Sequence, residues 1–60
     1  MKSKTKVIIL NEPFGYPKTP IGIYELIQTS TGELVPGQEL ARAKTKEEAL
    51  NIIKRMGWAY

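Results

Sequence analysis

The side chains that most often carry catalytic chemistry are almost missing from this sequence. The 60 residues include no histidine and no cysteine. The chain therefore lacks the usual general base near neutral pH and the commonest zinc ligands. Ser3 and Ser30 offer hydroxyl groups, but no histidine can activate them. We expect Ser3, between Lys2 and Lys4, to lie in a fraying terminus that cannot hold a catalytic Ser–Lys pair.

The acidic residues do not form a convincing catalytic pair either. Glu47 and Glu48 are adjacent, but on a helix they point about 100° apart, and a helix start already explains both. The sequence has no glycine-rich phosphate loop. So short a chain also leaves little room for a pocket of about 300 Å³ or more. We therefore predict a non-enzymatic protein with no catalytic residue, metal, cofactor or small-molecule substrate.

Length and charge limit the remaining possibilities. We predict one domain spanning residues 1–60, which buries only about 60% of the surface that the unfolded chain exposes. Without a disulfide or a metal, close packing or self-association must stabilise it. The formal charge of +3 suits an acidic partner and equally suits ordinary solubility. The apolar run 7–10 is far shorter than the roughly 20 residues of a membrane span, so we predict a cytoplasmic protein with no membrane partner.

Three segments have the composition of β-strands. Residues 6–10 are apolar on both faces, which is typical of a strand covered on both sides. Residues 21–29 alternate, and Ser30-Thr31-Gly32 predicts a tight turn with Gly32 in the left-handed conformation. The return strand is predicted as 33–35 and 38–44, with a bulge or second turn at Pro36-Gly37. A long loop over 30–37 is the alternative.

A proline-rich loop and an amphipathic helix complete the predicted fold. Residues 12–20 hold three prolines and Gly15, which favours a loop with defined turns. Thr45 and Glu48 form a capping box, and Gly57 is placed to end the helix with Trp58 against Ile53. One helix face carries Ala49, Leu50, Ile52, Ile53 and Met56.

The aromatic residues outside these elements have two interpretations. We expect Phe14 and Trp58 to close the ends of the core. The alternative is that Phe14, Tyr16 and the tail 57–60 supply the aromatic anchors of an interface.

The predicted fold class is α+β, a three-stranded antiparallel sheet with one C-terminal helix packed on one face (β-β-β-α). Alternation places these residues under the helix: Val7, Ile9, Ile23, Ile27, Ala41 and Ala43. If the interruption in strand three does not reverse its faces, the opposite face carries these residues: Lys4, Lys6, Ile8, Leu10, Tyr24, Leu26, Leu40, Arg42 and Lys44.

The opposite face could bind nucleic acid through its polar residues. Lysine and arginine neutralise phosphates, arginine can read guanine edges, and tyrosine offers a stacking surface. The predicted nucleic-acid-binding residues are Lys4, Lys6, Tyr24, Arg42 and Lys44. Lysine on a solvent-facing strand also serves simply to prevent aggregation, which is the competing interpretation.

The order of elements after Tyr24 adds a resemblance. A strand, the Thr31-Gly32 turn, a basic strand and the helix opening Thr45-Lys46-Glu47-Glu48-Ala49 follow one another. This order resembles the small three-stranded-sheet-plus-helix DNA-binding domains of the AP2 type, including the arm-binding N-terminal domains of phage and transposon integrases. The resemblance implies that the sheet enters the major groove, with Lys6, Tyr24, Arg42 and Lys44 facing DNA.

The apolar residues of the same face support a different function. Ile8, Leu10 and Leu26 would form a patch that a monomer does not normally leave exposed to water. They predict a protein interface, either with another protein or with a second copy of this chain in a homodimer. On this alternative the protein is a binding module or inhibitor of the kind that phages and mobile elements encode.

Overall fold

The computed structural model describes residues 4–60 as an open antiparallel sheet followed by one helix, which confirms the predicted α+β class. The strands are β1 (Val7–Asn11), β2 (Ile21–Gln28) and β3 (Leu34–Ala43), in the spatial order β1-β2-β3. The helix is α1 (Lys46–Met56). Ser3 and Lys2, considered above as a catalytic pair, lie outside the described residues.

The β2–β3 hairpin contains the irregularity that Pro36-Gly37 predicts. Gly32 has a φ of +89°, as expected for the turn, and the Thr29 amide donates to the Glu33 carbonyl. β3 is one continuous strand, and its pairing with β2 shifts twice, once on each side of Tyr24. Each shift inserts one extra residue into β3, so each is a bulge, and together they restore the alternation of faces.

The ends of α1 have most of the local geometry that the sequence predicts. The Thr45 hydroxyl accepts a hydrogen bond from the Glu48 amide at 3.2 Å, but the return bond of the predicted capping box, from the Thr45 amide to the Glu48 carboxylate, is not found among residues 4–60. Gly57 ends the helix in the left-handed region with a φ of +77°, and the Trp58 amide donates to the Ile53 carbonyl at 3.0 Å. No helix in residues 4–60 has the length and apolar character needed to cross a membrane.

The core lies between α1 and one face of the sheet. α1 packs across β3 and β2, and β1 lies beyond β2 on the far side. The buried core residues come from all four elements, and they are Val7, Ile23, Ala43, Ala49 and Ile53. Trp58 is half-buried against this cluster, as expected.

The C-terminal tail covers part of the outer edge of β1, a contact that the sequence did not predict. The Val7 amide donates to the Ala59 carbonyl at 2.8 Å, and the Ala59 amide donates to the Thr5 carbonyl at 2.8 Å. The tail therefore runs parallel to the start of β1.

Several expectations about burial are wrong because α1 is short and β3 is bulged. Leu40 packs against the core instead of the opposite face, since the bulge makes it an extra residue beside Ala41. Ile27 is 43% exposed because the hairpin extends past the helix. Leu50 and Met56 lie at the margin of the helix contact and are exposed. Phe14 does not close the core, because its loop projects from the sheet and leaves the ring fully exposed.

Replacing Ile53 by alanine should destabilise the protein by about 2–5 kcal/mol, because the side chain is buried and its loss leaves a cavity. Leu50→Ala, on the same helix but partly exposed, should cost less than about 1 kcal/mol. Urea denaturation followed by circular dichroism measures both free energies of unfolding. Equal costs would contradict the observed orientation of the helix.

Candidate binding surface on the open sheet face

The sheet face opposite α1, here called the open face, carries most of the predicted binding residues. Tyr24 lies in the central strand beside Ile8, and Leu10 lies beside Gly22. Arg42 of β3 lies on the other side of Gly22. The strand alternation therefore brings residues from all three strands onto this face, as predicted.

Arg42 lies flat across the sheet because Gly22 leaves space for it. A Cβ atom at Gly22 would lie 2.7 Å from both Arg42 Nη1 and Tyr24 Cε1, and 2.9 Å from Glu12 Oε1. All three distances are shorter than a normal van der Waals contact. Glycine in the middle of a strand often marks such a close approach. Gly22 therefore allows these three side chains to converge above the sheet.

The Arg42 guanidinium is held by two carboxylates and a phenol. Nη1 lies 2.7 Å from Glu39 Oε1 and 3.0 Å from Glu12 Oε1, and it donates to the Tyr24 hydroxyl at 3.3 Å. The Tyr24 hydroxyl in turn donates to Glu12 Oε1 at 2.6 Å. We call these four side chains, Glu12, Tyr24, Glu39 and Arg42, the Arg42 cluster.

The Arg42 cluster also fixes the proline-rich loop above the sheet. Arg42 Nε donates to the Thr19 carbonyl at 2.9 Å, and the Tyr16 ring stacks on the guanidinium with its centroid 3.6 Å from Cζ. At the base of the loop the Glu12 amide donates to the Pro20 carbonyl at 2.7 Å. The side chain of Arg42 is 13% exposed as a result. Arg42 therefore holds the loop against the sheet at three points, Glu12, Tyr16 and Thr19.

Ionisation within the cluster reflects these hydrogen bonds. The Tyr24 hydroxyl and then Arg42 lower the pKa of Glu12 from its ordinary value. The hydrogen bond to the Glu12 carboxylate, with burial, raises the pKa of Tyr24. Burial acts to lower the pKa of Arg42, but hydrogen bonds to Glu39, Glu12 and Tyr24 outweigh it and raise the pKa. Near neutral pH Arg42 is therefore a cation, Glu12 a carboxylate and Tyr24 a neutral phenol.

The basic residues predicted to contact nucleic acid do not form one patch. Lys6 lies level with Leu26, and Lys44 follows Ala43, which pairs with Ile21. At about 3.3 Å per residue, these two lysines are separated by about 20 Å along the sheet. Lys4 extends from the same end as Lys6, and all three lysines are exposed. Between them lies the Arg42 cluster, in which carboxylates neutralise the arginine.

The residues predicted as a protein interface do share a surface. Ile8, Leu10 and Leu26 lie on the open face, and all three are half-buried. On the opposite face of β1, Ile9 is also half-buried, because α1 packs over β2 and β3. The sequence predicts cover on both faces of this strand, and within residues 4–60 that cover is incomplete.

The outer edge of β1 retains unpaired backbone groups. The Lys6 carbonyl and the Glu12 amide bond toward β2, whereas the Val7 amide bonds away from it. Because direction alternates along a strand, Ile9 and Asn11 also point their amides and carbonyls outward. The tail occupies the Val7 amide, and no bond to the Ile9 or Asn11 amides is found in the described chain. β3, the other edge strand, is instead irregular because it contains Pro36 and two bulges.

Sequence reasoning missed Glu12, Tyr16, Gly22 and Glu39 as parts of this surface. Gly22 gave a usable signal, since a glycine inside a strand of β-branched and aromatic residues indicates a close approach. The partners of Arg42 gave none, because Glu12 and Glu39 reach it only after the sheet has formed. The described residues enclose no pocket and no group of three potential metal ligands.

Raising the pH should destabilise the protein in a step that depends on Tyr24. Because the pKa of Tyr24 is raised on folding, its contribution is complete below the unfolded pKa of about 10 and is lost above it. Glu12 has the opposite sign: its lowered pKa gives stability that is lost as the pH falls below about 4. Thermal unfolding across pH should therefore show a loss at each limit.

Tyr24→Phe should remove the alkaline step, and Glu12→Gln should reduce the acid one. Ultraviolet titration of the phenols should find one of the tyrosines ionising above the ordinary range in the wild type and not in Tyr24→Phe. An alkaline step that is unchanged in Tyr24→Phe would contradict the assigned hydrogen bond.

Gly22→Ala should displace Arg42 and bring the pKa of Tyr24 back toward its ordinary value, because the new methyl group occupies the space of the cluster. Gly15→Ala is the matched control, since a Cβ atom there meets nothing within 4 Å. Amide exchange in the loop should accelerate only in Gly22→Ala. Identical behaviour of the two variants would show that Gly22 does not position the cluster.

Comparisons with protein-family models, with curated proteins and with solved structures found no match to this chain. The resemblance to AP2-type domains therefore stays a prediction from the residues, as does a role in DNA binding.

Proposed function

We propose that the protein is a small non-enzymatic module that binds another polypeptide by adding an extended segment to the free edge of β1. The observation that carries this proposal is the state of β1 itself. Its outward backbone groups at Ile9 and Asn11 are unpaired within the described chain, and the side chains of residues 8–10 are half-exposed, on both faces of the strand. An added strand would satisfy the backbone and cover the side chains together.

The chemistry of such an interface follows from the strand. Backbone hydrogen bonds to Ile9 and Asn11 would supply affinity without regard to sequence. Specificity would come from side chains that alternate between Ile8 and Leu10 on the open face and Ile9 on the helix face. We expect a partner segment with apolar residues on both faces and no proline at the bonded positions.

The exposed aromatic rings support recognition of protein. The loop that carries Phe14 begins directly after β1, and its ring is fully exposed while Tyr16 beside it is fixed on Arg42. A rigidly held loop loses little conformational entropy on binding, and aromatic residues are frequent at interface hot spots. We expect Phe14 to contact a partner that lies along β1.

Charge at the centre of the open face favours polypeptide over nucleic acid. The guanidinium of Arg42 would have to leave Glu12 and Glu39 to reach a phosphate, and those two carboxylates would then repel the backbone. Exposed lysines remain at the corners, so nucleic-acid binding through Lys4, Lys6 and Lys44 is the alternative that the experiment must distinguish. The absence of cysteine fits a cytoplasmic location, and an origin in a phage or mobile element stays a prediction.

Asn11→Pro should abolish binding of extended peptides, because proline removes an outward amide from the edge of β1. Asn11→Ala is the matched control: it removes the same exposed side chain and keeps the amide. Short linear peptides selected on the wild-type protein from a displayed library should bind Asn11→Ala and fail on Asn11→Pro. Their binding should shift the amide resonances of Ile9 and Asn11, and circular dichroism should confirm that both variants fold.

The same preparation should be tested with mixed-sequence duplex DNA and single-stranded RNA at low salt. We expect no retardation of either. Retardation that weakens in Lys6→Ala and Lys44→Ala, together with failure to select any peptide, would overturn the proposal in favour of nucleic-acid binding.

A further inference from the structure

We propose that the segment added to β1 is β1 of a second copy of this chain, paired antiparallel about a two-fold axis beside Leu10. This inference rests on the proposed function, since it names the occupant of the same edge. The arrangement would join two three-stranded sheets into one continuous sheet.

The free backbone groups select this register. In an antiparallel pair, residues that point outward exchange hydrogen bonds with outward residues of the other strand. With the axis at Leu10, Ile9 of each copy faces Asn11 of the other, and both residues donate and accept. Val7 of each copy would face Pro13 of the other, which has no amide hydrogen, and the Val7 amide is already bonded to Ala59, so this register needs no bond at Val7.

The two neighbouring symmetric registers fit less well. An axis at Ile9 would place Asn11 of one copy opposite Val7 of the other, where the tail already bonds the Val7 amide. An axis at Asn11 would place Ile9 opposite Pro13, which has no amide hydrogen to donate. Each of those registers leaves one outward carbonyl without a donor, that of Asn11 or that of Ile9, whereas the axis at Leu10 pairs both the amide and the carbonyl of Ile9 and Asn11.

The same register covers the side chains that the monomer leaves half-exposed. Leu10 would lie against its own copy on the open face at a non-hydrogen-bonded position, where strands approach to a Cα separation of about 4.5 Å. Ile8 would lie opposite Glu12, whose carboxylate accepts hydrogen bonds from Tyr24 and Arg42. Because Tyr24 and Arg42 already bond the Glu12 carboxylate, Ile8 would not face an unpaired charge.

The remaining edges explain why the assembly would stop at two copies. Joining the β1 strands leaves β3 at both outer edges of the combined sheet. β3 contains Pro36 and two bulges, features that oppose further strand pairing. The short paired segment buries less than the roughly 1,000 Å² of a stable interface, so we expect a reversible dimer that forms as concentration rises.

A charge-swap experiment at Leu10 tests the position of the axis. Sedimentation equilibrium of the wild type should show a rise with concentration toward twice the 6.8 kDa chain mass. Leu10→Lys and Leu10→Glu should each remain monomeric, because each variant places like charges opposite one another. An equimolar mixture of the two should recover the dimer, since the opposed charges then attract.

Ile8→Lys and Ile8→Glu form the matched control pair. Residue 8 lies on the same strand face but opposite Glu12 and not opposite itself, so Ile8→Glu should stay monomeric, Ile8→Lys should not, and mixing the two should give no more dimer than Ile8→Lys alone. Recovery by the Ile8 pair and not by the Leu10 pair would overturn the proposed register. A wild-type protein that stays monomeric at its highest soluble concentration would overturn self-association, whereas peptide binding at Ile9 and Asn11 would still support the proposed function.

Discussion

The placement of Arg42 over Gly22 is the constraint on which the open face depends. The missing side chain at Gly22 lets the guanidinium lie on the sheet, where it meets Glu12, Glu39 and Tyr24. The same guanidinium holds the loop through Thr19 and Tyr16. One small residue in the central strand thus determines the charge of the face and the position of the loop.

This constraint is the reason that we propose binding at the edge of the sheet and not on its face. Two glutamates share the one arginine, so the middle of the face has no positive charge left to offer a phosphate. The helix, meanwhile, covers β2 and β3 more than β1. β1, which has four consecutive aliphatic residues, is consequently left with incompletely covered side chains and with unpaired backbone groups on its outer edge. A partner strand would satisfy the backbone groups and cover the side chains.

The features of this fold that the sequence predicts are those that depend on residues close together in the chain. Thr45, Glu48 and Gly57 cap the helix through hydrogen bonds with residues a few positions away, so the helix ends were predictable from capping rules. Gly32 fixed the hairpin turn for the same reason. The aliphatic residues 7–10 correctly indicated a strand that requires cover on both faces.

Features that depend on tertiary geometry were not predictable in this way. The bulge at Leu40, between Glu39 and Ala41, decided the side on which Leu40 lies, and sequence spacing does not reveal it. Ile27 and Leu50 have the periodicity of core residues, but Ile27 lies in the part of the hairpin that extends past the helix, and Leu50 lies at the margin of the contact between helix and sheet. Arg42 pairs with Glu12, which is 30 positions away in the sequence, and with Glu39, which is 3 positions away. The nucleic-acid-binding surface predicted from the sequence therefore did not include these two carboxylates. The tail pairing at Ala59 likewise forms only after the core has placed both segments.

Amide hydrogen exchange along β1, followed by nuclear magnetic resonance, shows whether the outer edge of the strand is open at Ile9 and Asn11. In dilute protein the amides of Ile8 and Leu10, which bond toward β2, should be protected, while those of Ile9 and Asn11 exchange rapidly. As the concentration rises or a bound peptide is added, the amides of Ile9 and Asn11 should become protected. Protection of all four amides in the dilute monomer, or rapid exchange at Ile9 and Asn11 under every condition, would contradict an open edge that serves as the binding site.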